Sequence, residues 1–450
     1  MKALRMVIRR EWHRMTSRRL YLGVCVVLPL LCLFFMATIF GNGQMENIPV
    51  GIVDLDNTAT SRNISRRISA APTFRVTEHF TDEADARRAL QQKDIYGYLV
   101  IPPRFEQKAV TGTGATLTYY YHYALLSVGS ELMAAFENTL APVALSPIVM
   151  QAEALGVSGE QIQTFLLPVE ASTHPLYNPD MDYSIYLSQP FFFVLFQILI
   201  LLTTVYSIGS ELKFGSAGEW LEMARGNILT AVAGKLLPYT LIFSSIGILA
   251  NYVLFGPLHI PFAGSLWLMN AVTVLFIIAT QALAVFIYSV FPKIAYIISV
   301  VSMVGSLGAT LSGVTFPVTA MYAPVHAASY LFPVRHFTEA AQAMIYFDAG
   351  FAYFWQSVAT LFIFLLAALL ILPLLKWWIK KEIREEAISA SPSPCPPTAL
   401  STASSSATSG MPSPPIPPSC SCWQAVSSST DCSTTTCTPP TWCARLPSQW

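Results

Sequence analysis

Six stretches of apolar residues, each long enough to cross a bilayer, dominate the hydrophobic pattern of the chain. A hydrocarbon core of about 30 Å requires about 20 apolar residues of helix. The six stretches are Leu20–Phe40, Ile185–Ile208, Ile228–Phe255, Leu266–Phe291, Ile294–Val314 and Phe351–Leu375. The pattern predicts a polytopic α-helical membrane protein with six transmembrane helices, one at residues 20–40 and five more within residues 185–375.

The segment between the first two stretches, residues 41–184, alternates between strand and helix patterns. Strands are predicted at Ile48–Val53, Phe74–Thr77, Tyr96–Ile101 and Leu117–Tyr121. Helices are predicted at Arg62–Ala71, Asp82–Lys93, Ser127–Glu153 and Ser158–Leu166. Alternation of this kind predicts a small α/β domain.

Two groups of residues in this domain admit more than one interpretation. Asp54 and Asp56 follow the first strand, where carboxylates usually form turns and helix starts, although two acids could also hold a metal or work as an acid pair. The aromatic run Tyr119–Tyr123 is either a binding surface or, the favoured interpretation, a half-buried edge strand.

Composition supports a membrane protein. Hydrophobic residues make up 53% and charged residues 12% of the chain, whereas soluble domains carry about 25% charged residues. Lys and Arg total 26 and so do Asp and Glu, so the net charge is zero. These values argue against a soluble globular protein and predict no nucleic acid partner; the predicted surroundings are a lipid bilayer.

The distribution of basic residues predicts an orientation. Seven basic residues and one acid, Glu11, precede the first stretch, and Lys376, Lys380, Lys381 and Arg384 follow the last. Residues 1–19 and the basic end 376–386 are therefore predicted to be cytoplasmic, and the α/β domain extracytoplasmic.

The first 19 residues also have a helical apolar pattern, formed by Leu4, Ile8, Trp12 and Met15. This pattern is typical of an amphipathic helix in the inner interface of the membrane. The basic residues alone would equally serve as a plain orientation signal.

The tail at residues 387–450 differs from the rest of the chain. More than half of its residues are Ser, Pro or Thr, and it has neither helical nor strand periodicity. Such a composition predicts disorder, and a change of reading frame would also produce it. The pairs Cys420/Cys422 and Cys432/Cys437 fit no standard zinc pattern, so no metal site is predicted. Cys25 and Cys32, in the first stretch, are expected to pack.

The sequence has no phosphate-binding G-x-x-x-x-G-K-[ST] motif, so the chain is predicted not to be an ATPase or any other enzyme, and no cofactor is predicted. The apolar stretches contain almost no charged residues, which disfavours an ion-coupled carrier. Lys235 is expected to extend its ammonium group to the inner face. Any energy for transport would then come from a partner ATPase.

Five segments in order resemble the membrane subunits of ABC-2-type exporters, in the group with a large outer domain after the first span. The likeness covers residues 1–386, and the tail departs from it. The segments are Ile8–Arg14 with Leu28–Leu31, Val50–Arg62, Gly97–Glu106, Glu211–Leu221 with Ala233–Leu236, and Leu311–Arg335.

The resemblance implies a permease subunit in the bacterial inner membrane, acting as a homodimer or with a sister permease and docking separate ATPase subunits. It implies an inner coupling loop at residues 209–227 and an outer re-entrant segment at residues 315–345 that acts as a gate. The implied coupling residues are Glu211, Lys213, Gly215, Glu219 and Trp220, and the implied gate residues are Gly313, Phe316, Pro317, Pro333 and Arg335.

Alternatives remain at each of these sites. The inner loop could be a solvated turn, in which Glu211 has little packing to lose, and the outer segment could be an amphipathic surface loop. Drug-like or lipophilic substrates, a periplasmic adaptor and an outer-membrane channel are suggested by the resemblance alone. The alternative function is a membrane-anchored surface receptor or assembly protein whose outer domain is the functional part.

Overall fold

The computed structural model describes residues 2–41, 43–111, 113–154, 176–178, 182–347 and 350–390. The predicted helix Ser158–Leu166 and residues 391–450 of the predicted tail lie outside the described residues. Residues 387–390, which the sequence assigned to the tail, are the last residues of a long helix that ends at Ala390.

Five helices are long and apolar enough to cross a membrane. They are α2 (Arg19–Ile39), α7 (Ser184–Lys213), α9 (Ile228–Phe255), α10 (Leu266–Val290) and α14 (Phe351–Ala390). The predicted fifth stretch forms α11 (Ile294–Thr310), whose 17 residues span about 25 Å. Five membrane-length helices and one shorter apolar helix thus occupy the positions of the six predicted spans.

Two of these helices continue beyond their apolar stretches. Helix α7 ends at Lys213, five residues after Ile208, and α14 continues past Leu375 to Ala390. Leu375 and Ile379 are fully buried, and Ile383 packs against the same apolar cluster. Hydrophobic residues at helical spacing therefore carry α14 beyond the end of its membrane-length apolar stretch.

Aromatic rings form the centre of the helical bundle. The ring of Phe337 lies 4.5 Å from that of Phe193 on α7 and 4.6 Å from that of Phe276 on α10. Phe337 itself belongs to α13 (Pro333–Tyr346). All three rings are fully buried, so α13 is an integral layer of the bundle.

Residues 311–346 connect α11 to α14 through short elements. A single 3₁₀ turn at Val318–Ala320 and helix α12 (Ala323–Ser329) precede α13. Pro333 begins α13, a position at which proline leaves no amide unpaired. The side chain of Gln197 on α7 accepts the Val334 amide at 2.9 Å, which fixes the start of α13 against the bundle.

The α/β domain has a four-stranded sheet with the order β2-β1-β3-β4. The strands are β1 (Ile48–Asp54), β2 (Phe74–Phe80), β3 (Gly97–Ile101) and β4 (Thr118–Tyr121). Strands β1, β2 and β3 are parallel, and β4 is antiparallel to β3. The helices are α3 (Ala59–Ala70), α4 (Glu83–Gln92), α5 (Phe105–Thr111) and α6 (Leu126–Ala154).

The two ambiguous groups of this domain occupy a turn and the edge of the sheet. The Asp54 carboxylate accepts the amides of Asp56 and Asn57 at 3.1 and 3.0 Å, as a turn former does. Strand β4 is the edge of the sheet, its residues alternate between exposed and half-buried, and Tyr119 stacks on the buried Phe136. The turn and edge-strand interpretations are therefore confirmed.

The α/β domain leaves and rejoins the helical bundle at one place. The Tyr183 amide donates a hydrogen bond to the Gly43 carbonyl at 2.8 Å. Gly43 has φ +67°, and a Cβ built there would lie 2.4 Å from a carboxylate oxygen of Asp182. Only glycine fits this close approach without displacing Asp182.

Candidate functional site

A cluster of ionised side chains is buried where α1 (Lys2–Ser17), α7 and α9 meet. Its carboxylates are Glu11 on α1 and Glu211 near the end of α7, which are 1% and 0% exposed. Its cations are Arg10 and Arg14 on α1 and Lys235 on α9. We call these five residues the buried ionic cluster.

Glu211 is the central acceptor of the cluster. Its oxygens receive Nη1 and Nη2 of Arg10 at 2.9 and 3.1 Å, a bidentate pair, and Nζ of Lys235 at 2.7 Å. Arg14 Nη1 and the Ser216 hydroxyl also donate to this carboxylate. Three cations and one hydroxyl therefore replace the water that a buried carboxylate loses.

Lys235 connects the two carboxylates. Its Nζ lies 2.6 Å from Oε2 of Glu11 and 2.7 Å from Oε1 of Glu211. The Tyr239 hydroxyl donates to the other Glu11 oxygen at 2.7 Å, and the Trp220 ring lies 5.4 Å from Nζ. Lys235 is fully buried. The expectation that it extends to the aqueous face is wrong, because its charge is compensated inside the protein.

Helix α1 packs against the bundle through a face that shares Met15 with the apolar pattern predicted for the membrane interface. Val7, Glu11 and Met15 are buried at a spacing of four residues, whereas Trp12 is 51% exposed. Val7 packs against Gly234 of α9, where an added Cβ would lie 2.9 Å from it. The apolar pattern contained Met15 but neither Val7 nor Glu11, so it did not predict that α1 packs against the bundle.

Arg10 also reaches the surface of the protein. Its Nη2 lies 3.6 Å from a carboxylate oxygen of Glu219, whose side chain is 62% exposed. Burial lowers the pKa of the Arg10 guanidinium, but the hydrogen bonds and charge of Glu211 outweigh this effect and raise the pKa overall. Arg10 therefore stays charged and links the buried cluster to an exposed acid.

The predicted coupling residues fall into two groups. Lys213, Gly215 and Glu219 are exposed, whereas Glu211 and Trp220 are fully buried. The idea that Glu211 lies in a loop with little packing to lose is wrong, since it is a helical residue inside the cluster. Trp220 belongs to α8 (Ala217–Met223) and donates from Nε1 to the Ala231 carbonyl at 3.2 Å, which holds α8 against α9.

The predicted gate residues surround the start of α13. Gly313, with φ +88°, Pro317 and Arg335 line one cavity. Pro333 is buried as the first residue of α13, and Phe316 is 52% exposed. Arg335 is 5% exposed and is the charged residue of this group.

The arrangement of the buried ionic cluster favours a mechanical role over a catalytic one. Every charge in it is paired with an opposite charge of the same cluster. Among the described residues there is also no group of three or more His, Cys, Asp or Glu side chains that could hold a metal ion. The cluster can fix α1 to α7 and α9, because displacing any member would leave a buried charge unpaired.

Residues 19–373 match a family model described as "ABC-2 family transporter protein". The match covers more than three quarters of the chain and includes all five membrane-length helices up to residue 373. No curated protein has a sequence that matches this chain.

Proposed function

Since the chain belongs to the ABC-2 transporter family, we propose that it is the permease subunit of an ATP-driven exporter in a bacterial inner membrane. In this proposal two permeases, identical or sister copies, form the pathway, and separate ATPase subunits supply the energy. Helix α11 is the sixth span, the termini are cytoplasmic, and the α/β domain lies outside.

The observation that supports coupling best is the buried ionic cluster. It joins α1 to the end of α7 and the start of α9, two membrane-length helices. Removing one partner of a buried ion pair typically costs about 3–5 kcal/mol. A push on α1 or α8 would therefore move α7 and α9 with it more readily than it would break the cluster.

The proposed ATPase contact is the surface formed by Lys213, Gly215 and Glu219. Lys213 is the last residue of α7, Gly215 lies in the turn that follows, and Glu219 belongs to α8; all three are exposed. Arg10 connects this surface to the buried ionic cluster. Its Nη2 faces Glu219, and both Nη1 and Nη2 donate to Glu211. In this proposal Glu211 and Trp220 transmit the movement and do not touch the ATPase.

We further propose that residues 315–345 close the outer end of the pathway and that the substrate is lipophilic or drug-like. An apolar groove of about 320 Å³ between α9, α10 and α14 supports such a substrate. Within this groove the Thr240 hydroxyl donates to the Gln281 side-chain oxygen at 2.7 Å, and the remaining lining side chains are apolar. An adaptor and an outer-membrane channel would then carry the substrate onward.

Coupling is tested by co-expressing the chain with candidate ATPase subunits and measuring ATP hydrolysis in proteoliposomes. Hydrolysis should rise when the permease is present. Lys213→Glu and Glu219→Lys should remove most of this stimulation, while the permease keeps its yield and thermal stability. Lys293→Glu is the control, since Lys293 is an exposed lysine in the turn between α10 and α11.

The two possible failures have different meanings. If no ATPase subunit responds to the permease, the exporter proposal fails and the surface receptor becomes the better account of the outer domain. If hydrolysis is stimulated but both charge reversals leave it unchanged, the chain is a permease whose ATPase contact lies elsewhere.

A further inference from the structure

A second polar site lies at the opposite end of the bundle from the buried ionic cluster, where α11 ends and α13 begins. It is a cavity of about 550 Å³ between the start of α7, residues 312–319, α12 and α13. Its walls include Tyr186, Pro317, His326, Tyr330, Arg335 and Glu339. We call it the Arg335 cavity.

Arg335 is buried in the wall of this cavity and forms no ion pair with any residue that the structure describes. No carboxylate oxygen of the described residues lies within 4.0 Å of its guanidinium. Nη1 donates to the Ser329 hydroxyl at 2.5 Å and to the His326 carbonyl at 3.4 Å, and Nη2 lies 3.4 Å from Nε2 of the His326 ring. The Tyr330 ring lies 3.7 Å from Cζ. Nε is buried and has no hydrogen-bond partner among the described residues.

These contacts hold the guanidinium in place but do not neutralise it. Hydroxyl, carbonyl and aromatic groups supply partial charges only, and a buried cation without a full negative charge nearby is costly. The planar fork of arginine donors matches the oxygens of phosphate and carboxylate groups. A cavity beside a fixed, uncompensated arginine is therefore suited to an anionic group.

Glu339 does not fill this role. It follows Arg335 by one helical turn, is exposed, and accepts a hydrogen bond from the Ser357 hydroxyl of α14 at 3.0 Å. This bond holds its carboxylate towards α14. Glu339 places a negative charge at the rim of the cavity. This charge weakens the binding of an anion but forms no ion pair with the Arg335 guanidinium.

The chain segment that lines the cavity also carries exposed apolar side chains. Phe316, Tyr322 and Leu331 are 52%, 80% and 66% exposed, and all three lie in the same segment as the cavity-lining residues 312–335. A ligand with only an anionic group would leave these side chains uncovered. A ligand that also carries a hydrocarbon chain would cover them and gain from their burial.

We propose that the Arg335 cavity binds the phosphate or carboxylate group of an anionic amphiphile, with the hydrocarbon chain lying on the adjacent apolar side chains. The ligand is either a lipid of the surrounding membrane or an anionic compound that enters the pathway. Binding at this site does not depend on ATPase coupling, so the inference is tested separately from the proposed function.

The test uses the full chain purified in a neutral detergent, with dodecyl phosphate as the probe and microscale thermophoresis as the measurement. Inorganic phosphate and a neutral dodecyl glycoside separate the contributions of the anionic group and the chain. Nanodiscs with phosphatidylglycerol or with phosphatidylcholine alone, each titrated with dodecyl phosphate, distinguish the two sources. Competition by phosphatidylglycerol identifies a membrane lipid as the ligand, and undiminished binding identifies a free amphiphile.

Arg335→Gln should weaken dodecyl phosphate binding about tenfold or more, since it removes the charged partner of the anion. Arg335→Lys should bind at an intermediate level, because it keeps the charge and loses the fork. Glu339→Gln should bind at least as tightly as the unmodified chain, since a like charge is removed. Arg225→Gln, at an exposed arginine outside the cavity, should have no effect.

Two results would overturn the inference. One is equal binding of dodecyl phosphate by the unmodified chain and by a folded Arg335→Gln variant. The other is weaker binding by Glu339→Gln, which would indicate that the site takes an amine. The Glu339→Gln result decides the question even if Arg335→Gln does not fold, because Glu339 is exposed and its replacement leaves the buried guanidinium in place.

Discussion

The carboxylate of Glu211 accepts hydrogen bonds from three cations within a buried environment. Glu211→Gln keeps the shape of the side chain but leaves Glu11 as the one buried carboxylate of the cluster, with the exposed Glu219 facing Arg10. We expect it to lower the free energy of unfolding by about 3–5 kcal/mol. Guanidinium or thermal unfolding of the purified full chain measures this change.

The matched control for this prediction is Glu219→Gln. Glu219 also faces Arg10 but is 62% exposed, so its replacement should change stability by about 0.5 kcal/mol or less. The prediction would be contradicted by equal effects of the two variants. A double-mutant cycle of Glu11→Gln and Lys235→Met should show a large favourable interaction energy, because these side chains contact each other directly.

Asp56 provides a pH-dependent contact inside the α/β domain. Partial burial raises the pKa of its carboxyl, but hydrogen bonds from the Glu106 and Phe105 amides and the Thr58 hydroxyl outweigh this effect and hold the pKa below its usual value. The ionised carboxylate thus stabilises the start of α5 above the unfolded pKa of about 3.9. That stabilisation is lost as the pH falls through the lower folded value.

Asp56→Asn should therefore destabilise α5 by about 1–2 kcal/mol near neutral pH. The difference from the unmodified chain should shrink as the pH is lowered towards about 3. Hydrogen-exchange protection of the α5 amides in the full chain measures both effects. Asp94→Asn, at an exposed residue of the same domain, is the control, and a difference that stays constant down to low pH would show that the charge of Asp56 is not responsible.

At the scale of elements, the contact between α1 and α9 depends on the absence of a side chain at Gly234. A Cβ at this position would lie 2.9 Å from Cβ and Cγ1 of Val7, atoms that are close to the α1 backbone. Gly234→Ala should push α1 away and cost about 1–3 kcal/mol. The loss should appear in thermal unfolding and as faster hydrogen exchange in α1.

Gly218→Ala is the control for this variant. A Cβ at position 218 would lie 3.8 Å from Ile383, an ordinary contact distance, and alanine is the better helix former. This variant should be neutral or slightly stabilising. Equal destabilisation by both substitutions would show that the α1–α9 contact is not sensitive to helix separation.

The elements that could be predicted from the sequence are those with a strong local pattern. Hydrophobic length located the membrane helices. Short runs of strand-forming residues, with two-residue alternation in β2, located the four strands within three residues at each end. Helix ends were less predictable. Ile379 and Ile383 continue the four-residue spacing of Leu375 and pack against an apolar cluster that includes residues of α8 and α9. The lysines between them end the continuous apolar stretch, so a count of apolar length alone placed the helix end too early.

At the scale of the whole molecule, orientation in the membrane is the first property to measure. We expect residues on α8 and residues in the α/β domain to lie on opposite sides of the bilayer, because basic residues flank the helices on the α8 side. Single cysteines at Gln107 and at Lys213, both exposed positions, can be introduced into a chain without other cysteines. An impermeant maleimide added outside intact cells should label position 107 and not position 213.

The same experiment tests the number of spans. If α11 crosses the membrane as a sixth helix, the C-terminal end of α14 and Lys213 must be on the same side. A cysteine at Lys380 should therefore be protected from outside, as at position 213. Labelling at positions 107 and 380 but not at position 213 would indicate five spans, with α11 too short to cross.

The candidate site was harder to predict than the fold because its members are far apart in the sequence. Glu11 was an isolated acid in a basic helix, and Lys235 was an isolated base in an apolar stretch. Each had a plausible local explanation. Glu11 was one acid within a basic segment that orients the chain in the membrane, and Lys235 was expected to extend to the interface. Their complementary charges were the available signal, since a lysine in an apolar helix needs either water or a carboxylate.

The hydrogen bond between Tyr183 and Gly43 has a consequence for the evolution of this architecture. Because the chain departs from α2 and returns to α7 at adjacent points, everything between them behaves as an insertion at a single position. Such an insertion can be lengthened, exchanged or deleted, with a short turn closing the gap, while the packing of the helices stays as it is. Recombination could therefore give one transport core many different outer domains.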